Sequence, residues 1–262
     1  MRLNLLSHAC WRRLYLIKTN NMLRLANRIT GTPAMVDLIV LLKRTDAIGR
    51  DEFLRRWADA SAAAYKEGAD GAGVIQCRVT AEPPPLPGMP TIGVSIDAFE
   101  KLSFAEVEQF ANCWRHAEAL AELRSIAGAM SVLSVRSHVV RDDTKAGASA
   151  GFLKRMVLVK RNPKLARQPY LEHWLNTHAR LARQVRGGSR FYIQHEVLSE
   201  LENPGEIASL ALSLDGFSET WYDDEAEMSR AAATAEGQAV ARDNLAIGGE
   251  SKRFFFEISN QD

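Results

Sequence analysis

The pair Lys43-Arg44 recurs as Lys160-Arg161, 117 residues further on, and at the same spacing Phe53 falls on Tyr170 and Trp57 on Trp174. One residue beyond that spacing, Ser95-Ile-Asp-Ala-Phe99 matches Ser213-Leu-Asp-Gly-Phe217. Matching residue types at an offset of 117 or 118, across three successive segments, indicate a duplicated unit of somewhat over a hundred residues. Any fold proposed for the chain must therefore be buildable twice.

Periodicity describes the unit. Met35–Leu42 is a short apolar run closed by charge and reads as a buried strand. Arg50–Glu67 carries Phe53, Leu54, Trp57 and Ala60–Ala64 at helical spacing. Val74–Ala81 reads as a strand, and Pro83, Pro84, Pro85, Pro87 and Pro90 make a stiff connection. Thr91–Phe99 reads as a third strand. Ser103 with Glu106 resembles a capping box opening a helix to about Ile126, and Met130–Val140 closes the unit as a fourth strand. The second copy follows with strands over Phe152–Lys160, Arg190–Leu198, Ile207–Phe217 and Arg253–Ile258, and helices over Pro169–Val185 and Asp223–Ala241. The expected organisation is a basic extension over 1–34, a first repeat over 35–141, a linker over 142–151 and a second repeat over 152–262.

A βαββαβ unit with both helices on one face of its sheet leaves the other face bare, and that face must be buried. Two copies in one chain can cover each other. The expected class is therefore α+β: two fused ferredoxin-like repeats closing a pseudo-twofold barrel, helices outside. Two independent ferredoxin-like domains are the competing arrangement.

Lys plus Arg number 33 and Asp plus Glu 32, a balance that gives no reason to expect nucleic acid or an anionic membrane as a partner. Cys10, Cys77 and Cys113 lie far apart without a CxxC spacing, which fits a reducing compartment, and a cytoplasmic location is expected. No run reaches the ~18 apolar residues of a spanning helix. Residues 1–34 contain Arg2, Arg12, Arg13, Lys18, Arg24 and Arg28 and no acid. A start placed ahead of the true one at Met35, an organelle transit peptide and a small basic arm are the readings that stand. No phosphate loop, GxSxG elbow or HExxH helix occurs, so nucleotide-dependent and metallohydrolase chemistry are poor expectations.

The second repeat resembles the EthD family of the dimeric α+β barrel superfamily. The resemblance rests on Val157-Leu-Val-Lys-Arg161, Tyr170-Leu-Glu-His-Trp-Leu-Asn-Thr-His178, Leu214-Asp-Gly-Phe-Ser-Glu-Thr-Trp-Tyr222 and the late Asp243. It covers roughly 153–259 and, more weakly, 35–140. The first repeat departs from the pattern: Ser61 stands where the second has His178, and Asp97-Ala98 where it has Asp215-Gly216. The resemblance thus implies a polar site in the second half only, with the first half completing the barrel.

Tyr170, Trp174 and His178 share one helical stripe, where His178 could pass a proton to or from a ligand, or equally hold a backbone carbonyl at the core's edge. Asp215 and Asp243 are the carboxylates the resemblance marks; a turn-forming Asp and a helix-terminal Asp are their bland alternatives. An Asp–His pair through space would orient His178. His173 is expected to face solvent, and His195 lies on a strand whose cleft-facing side the alternation leaves open. Lys160 and Arg161 could anchor an anion or simply be solvated. Trp174, Tyr170, Phe217 and Trp221 could line a ligand or build core. The resulting expectation is a cofactor-independent enzyme, of dehydratase, decarboxylase or oxidoreductase type, acting on a small apolar, aromatic or polyketide-like molecule. Its catalytic set would be His178, Asp215 and Asp243. A non-catalytic binding protein of a catabolic pathway is the alternative, and haem held by a histidine, as in some relatives of this barrel, is a third. No metal is expected, and the oligomer would be a monomer with an internal pseudo-dimer or a homodimer of it.

Overall fold

A computed structural model describes residues 35–68, 73–144 and 151–259. The extension over 1–34 and most of the expected linker lie outside the described residues. The first half runs β1 (Val36–Arg44), α1 (Arg50–Gly68), β2 (Gly73–Ala81), β3 (Ala98–Phe104), α2 (Glu108–Cys113), α3 (Ala117–Ile126) and β4 (Ala127–Asp142). The second runs β5 (Leu153–Arg161), α4 (Arg167–Glu172), a π-helical turn (His173–His178), α5 (Ala179–Gln184), β6 (Phe191–Leu201), a short 3₁₀ turn (Pro204–Glu206), β7 (Gly216–Tyr222), α6 (Glu225–Ala233), α7 (Ala235–Ile247) and β8 (Gly248–Ile258).

The eight strands close a barrel in the order β1-β3-β2-β8-β5-β7-β6-β4. Each half supplies four adjacent strands in the same relative order, and every pairing is antiparallel. Two seams join the halves, β4 with β6 and β2 with β8. Independent domains are thereby excluded.

Alternation along the strands gives each a lumen side and a helix side. Ile39, Leu41, Phe99, Leu133, Met156, Leu158, Phe217, Phe254 and Phe256, from both halves, form one buried cluster that fills the lumen. On the outside, Leu38, Val40, Leu42, Leu102 and Phe104 pack beneath Phe53, Trp57, Phe110 and Leu123 of the first half's helices. The second half's outer core, Tyr170, Leu171, Trp174 and Ile247, is far smaller.

Sequence periodicity misplaces the third strand of both halves in the same direction. Residues 91–97 and 209–215 belong to no ladder and make only isolated bridges, Thr91 with Ser251 and Met130 with Ser209. The ladder begins after the aspartates, at Ala98 and Gly216. Ala211 and Ser213 adopt positive φ, which breaks the extended ladder before Asp215. Ser103 is a strand residue donating to Asp37 at 2.7 Å, not a helix cap. The helix that follows is two helices, with His116 Nδ1 capping the second through Ala119 N–H at 3.1 Å.

Candidate functional site

The helix over 167–184 widens at its middle. Ala179 N–H reaches back five residues to the Trp174 carbonyl, which also accepts the Gln194 side-chain amide at 3.0 Å. An extra residue in the turn is the mark of a π-bulge. In a regular α-helix His173 and His178, five apart, would point about 140° away from each other. The wider turn brings both to one carboxylate, Asp243 near the end of α7. His178 Nδ1 lies 2.8 Å from Asp243 Oδ2, and His173 Nε2 lies 2.7 Å from Oδ1. The His178 side chain is 5% exposed and that of His173 38%, so Asp243 bridges a buried imidazole and one that meets solvent. Burial opposes the charge on Asp243, but the hydrogen bonds from His178 and His173 outweigh it and hold the carboxyl below its usual range. With Nδ1 donating to the carboxylate, His178 keeps its lone pair on Nε2. No hydrogen bond from another described residue reaches that atom.

Trp174 O accepting from Gln194 settles which side of β6 meets the helix: Tyr192, Gln194 and Glu196 do. Around the dyad the second half's outer sheet face is polar. Arg155 donates through Nη2 to the Tyr222 hydroxyl and through Nε to Thr220 Oγ1, both at 3.2 Å. Tyr192, whose hydroxyl pKa is raised chiefly by burial, also feels the charge of Asp243. Gln194 is fully buried, and its Oε1 has no hydrogen-bond partner. Arg155, Tyr192, Gln194 and Thr220 escaped notice because single polar residues in apolar strands carry no motif. The alternation Tyr192/Gln194 was the usable signal, once a side could be assigned.

Other expected site residues are placed as follows. Tyr170 and Trp174 are buried beside the dyad and stack at 5.9 Å. Gly216 lies under Trp174; a Cβ there would sit 2.6 Å from the indole. His195 and Phe217 stack at 4.6 Å on the other side of the sheet, in the lumen, with Trp221 there too. They are cut off from the dyad by the sheet itself. His195 Nδ1 lies 2.9 Å from Ser137 Oγ, and burial lowers its pKa to about 3. Asp215 is not beside His178. It accepts the backbone N–H of Arg161 at 2.8 Å and the Arg161 guanidinium. Asp97 holds Arg44 N–H at 2.9 Å in the same way, although the first half has no counterpart of His178. Both aspartates therefore fasten the bulge at the end of a strand. Lys160 pairs with Glu250 at 3.2 Å. His173, expected to face solvent, does meet it, and it is also the second partner of Asp243, because the π-turn rotates it there.

Among the described residues no group of three or more His, Cys, Asp or Glu is arranged to hold a metal ion. No described helix is long and apolar enough to cross a membrane.

The EthD domain model matches residues 162–247, which hold the π-turn, both histidines and Asp243. No curated protein matches the chain. Among solved structures, an EthD family protein from Bacillus halodurans is 24% identical. The match covers 42% of this chain and 99% of that one, with a TM-score of 0.31. A chlorite dismutase from Candidatus Nitrospira defluvii is 7% identical over 89% of this chain and 94% of that one, with a TM-score of 0.48. The segment that matches the EthD domain, residues 162–247, is thus built into an α+β barrel of eight strands.

Proposed function

We propose that the protein is a cofactor-independent enzyme in which His178 is the acid–base group and Asp243, not Asp215, supports it. The observation that carries this reading is the bridging of one carboxylate by a buried and a solvent-facing histidine. His178 Nε2 takes a proton from a substrate in the helix–sheet cleft, and Asp243 stabilises the imidazolium that results. His173, on the other carboxylate oxygen, gives the site a polar link to solvent. The cleft's aromatic walls and its few polar groups suit a small aromatic or polyketide-like molecule, with Arg155, Tyr192 and Tyr222 available to an oxygen substituent. The site belongs to the second of two fused ferredoxin-like repeats. The matching aspartate locks and the shared strand order support that division. The first repeat, with a buried Ser61 in place of the histidine, completes the barrel within one chain. This reading needs neither haem nor a metal.

The test is exchange of carbon-bound hydrogen for deuterium. A panel of small aromatic and β-keto compounds is incubated with the protein in D₂O and read by NMR. Exchange catalysed by the wild type and lost in His178→Ala and Asp243→Asn is expected. Exchange that survives both substitutions would overturn the assignment. Ligand binding with no exchange and no dependence on His178 would instead favour a binding protein. A Soret band after expression with haem supplied would replace the cofactor-free reading.

A further inference from the structure

The first half contains a cavity of about 420 Å³ where β1 and β2 end and β3 begins. Its apolar floor includes Val79 and Ile96, and its charged wall includes Lys43, Arg44 and Arg50. The acids on that wall are mostly occupied. Asp97 is shared by the Arg44 backbone N–H at 2.9 Å, the Arg44 guanidinium at 3.7 Å and Arg50 at 3.9 Å. Glu82 accepts from Lys252 at 2.6 Å and Ser95 at 2.7 Å. Asp46 is exposed.

Comparison of the two halves shows what is missing. Lys160 stands directly across from Glu250 in the β5–β8 ladder, and the two form an ion pair at 3.2 Å. Lys43 occupies the matching position in the first half, and across from it in the β1–β4 ladder stands Ala129. Directly opposed residues share a sheet face, so the carboxylate that neutralises Lys160 has no counterpart beside Lys43. Among the described residues Lys43 has no carboxylate or hydrogen-bond partner. The Arg44 Nε, buried, also lacks a partner. A partly buried cation beside an apolar floor, without its counter-charge, is a receptor for an anion that brings an apolar body with it.

We infer that this cavity is a second ligand site, separate from the His178 cleft, which takes a small organic carboxylate. Its anionic group lies on Lys43 and Arg44, and its apolar part on Val79 and Ile96.

The probe is 4-fluorobenzoate, titrated into the full chain and followed by ¹⁹F NMR. Saturable binding is expected, weakened about tenfold or more in Lys43→Ala, the scale of a lost charge-assisted hydrogen bond. Ala129→Glu removes no cation but restores the acid of the other half, and it should weaken binding as much. Lys160→Ala should leave the affinity unchanged. Inorganic phosphate, which has no apolar body, should displace the probe poorly. Absence of saturable binding would overturn the proposal, as would equal affinity in wild type and in Ala129→Glu with an unchanged near-ultraviolet spectrum. Loss that follows Lys160→Ala would place the site in the other half, and phosphate binding as tight as the probe would overturn the class of ligand.

Discussion

Asp243 has two hydrogen-bond partners and His178 one, so removing charge from the aspartate should affect the site more widely than its size suggests. Asp243→Asn leaves one acceptor oxygen where two imidazoles each used one, and an amide N–H turned towards His178 Nδ1 would invert its tautomer. A rate loss of roughly a hundredfold or more in the exchange assay is expected, the usual scale for acid–base groups. Gly216→Ala tests positioning separately. Its new methyl meets the Trp174 indole at 2.6 Å, so the helix carrying His178 must shift. The variant should fold but lose stability by about 1–3 kcal/mol in urea melts, the range for overpacked cores. His195 gives the pH signature. Its folded pKa is lowered to about 3 by burial, while unfolded it titrates near 6.5. The unfolded chain therefore binds the extra proton between those values. This contribution to stability is fully present above pH ~6.5 and falls on acidification, by at most about 1.4 kcal/mol per pH unit from this group. In His195→Phe the slope of urea midpoint against pH between 4 and 6 should flatten; an unchanged slope would refute the assignment.

The π-turn matters because it reconciles two demands on one helix. Trp174 must pack over Gly216, and His173 and His178 must meet the same carboxylate. Deleting Asn176 would restore a regular helix and rotate the two histidines apart. The expected result is a folded barrel in which the imidazole ¹⁵N shifts of His178 no longer respond to Asp243→Asn. At this scale the sequence was readable for long, strongly periodic elements such as α1 and β5. It was readable too for the stripe Tyr170, Trp174 and His178, since all three are buried side by side. It was misleading where a distant partner decides. Residues 91–97 and 209–215 have strand composition, but the ladder starts only after an aspartate lock formed with a strand more than fifty residues away. The π-turn itself was invisible, and so was Gln194, which reaches the Trp174 carbonyl from another strand. Asp215 and Asp243 stood open together as the carboxylate beside His178, and the pairing of Asp243 with both histidines goes with that same hidden turn.

Across the whole molecule the two halves are joined by more than apolar contact. Lys101 of β3 and Glu219 of β7 form an ion pair at 2.9 Å inside the lumen, with Trp221 Nε1 also donating to the carboxylate at 2.6 Å. Both charged side chains are buried. Lys101→Met would leave Glu219 buried without that partner and should cost about 3–5 kcal/mol, whereas replacing both residues by apolar ones of similar volume should cost much less. A double-mutant cycle by chemical denaturation reads the difference. The two seams are unequal. β4 and β6 stay paired from Val132 to Asp142, whereas β2 and β8 are paired only from Cys77 to Ala81. A closed ring with one long and one short seam behaves like a hinged cuff: it gapes at the short side while the long side holds. Amide protons along Cys77–Ala81 and their partners in β8 should therefore trade with solvent well before those along Val132–Asp142, and the lumen's occupants would be wetted from that side first.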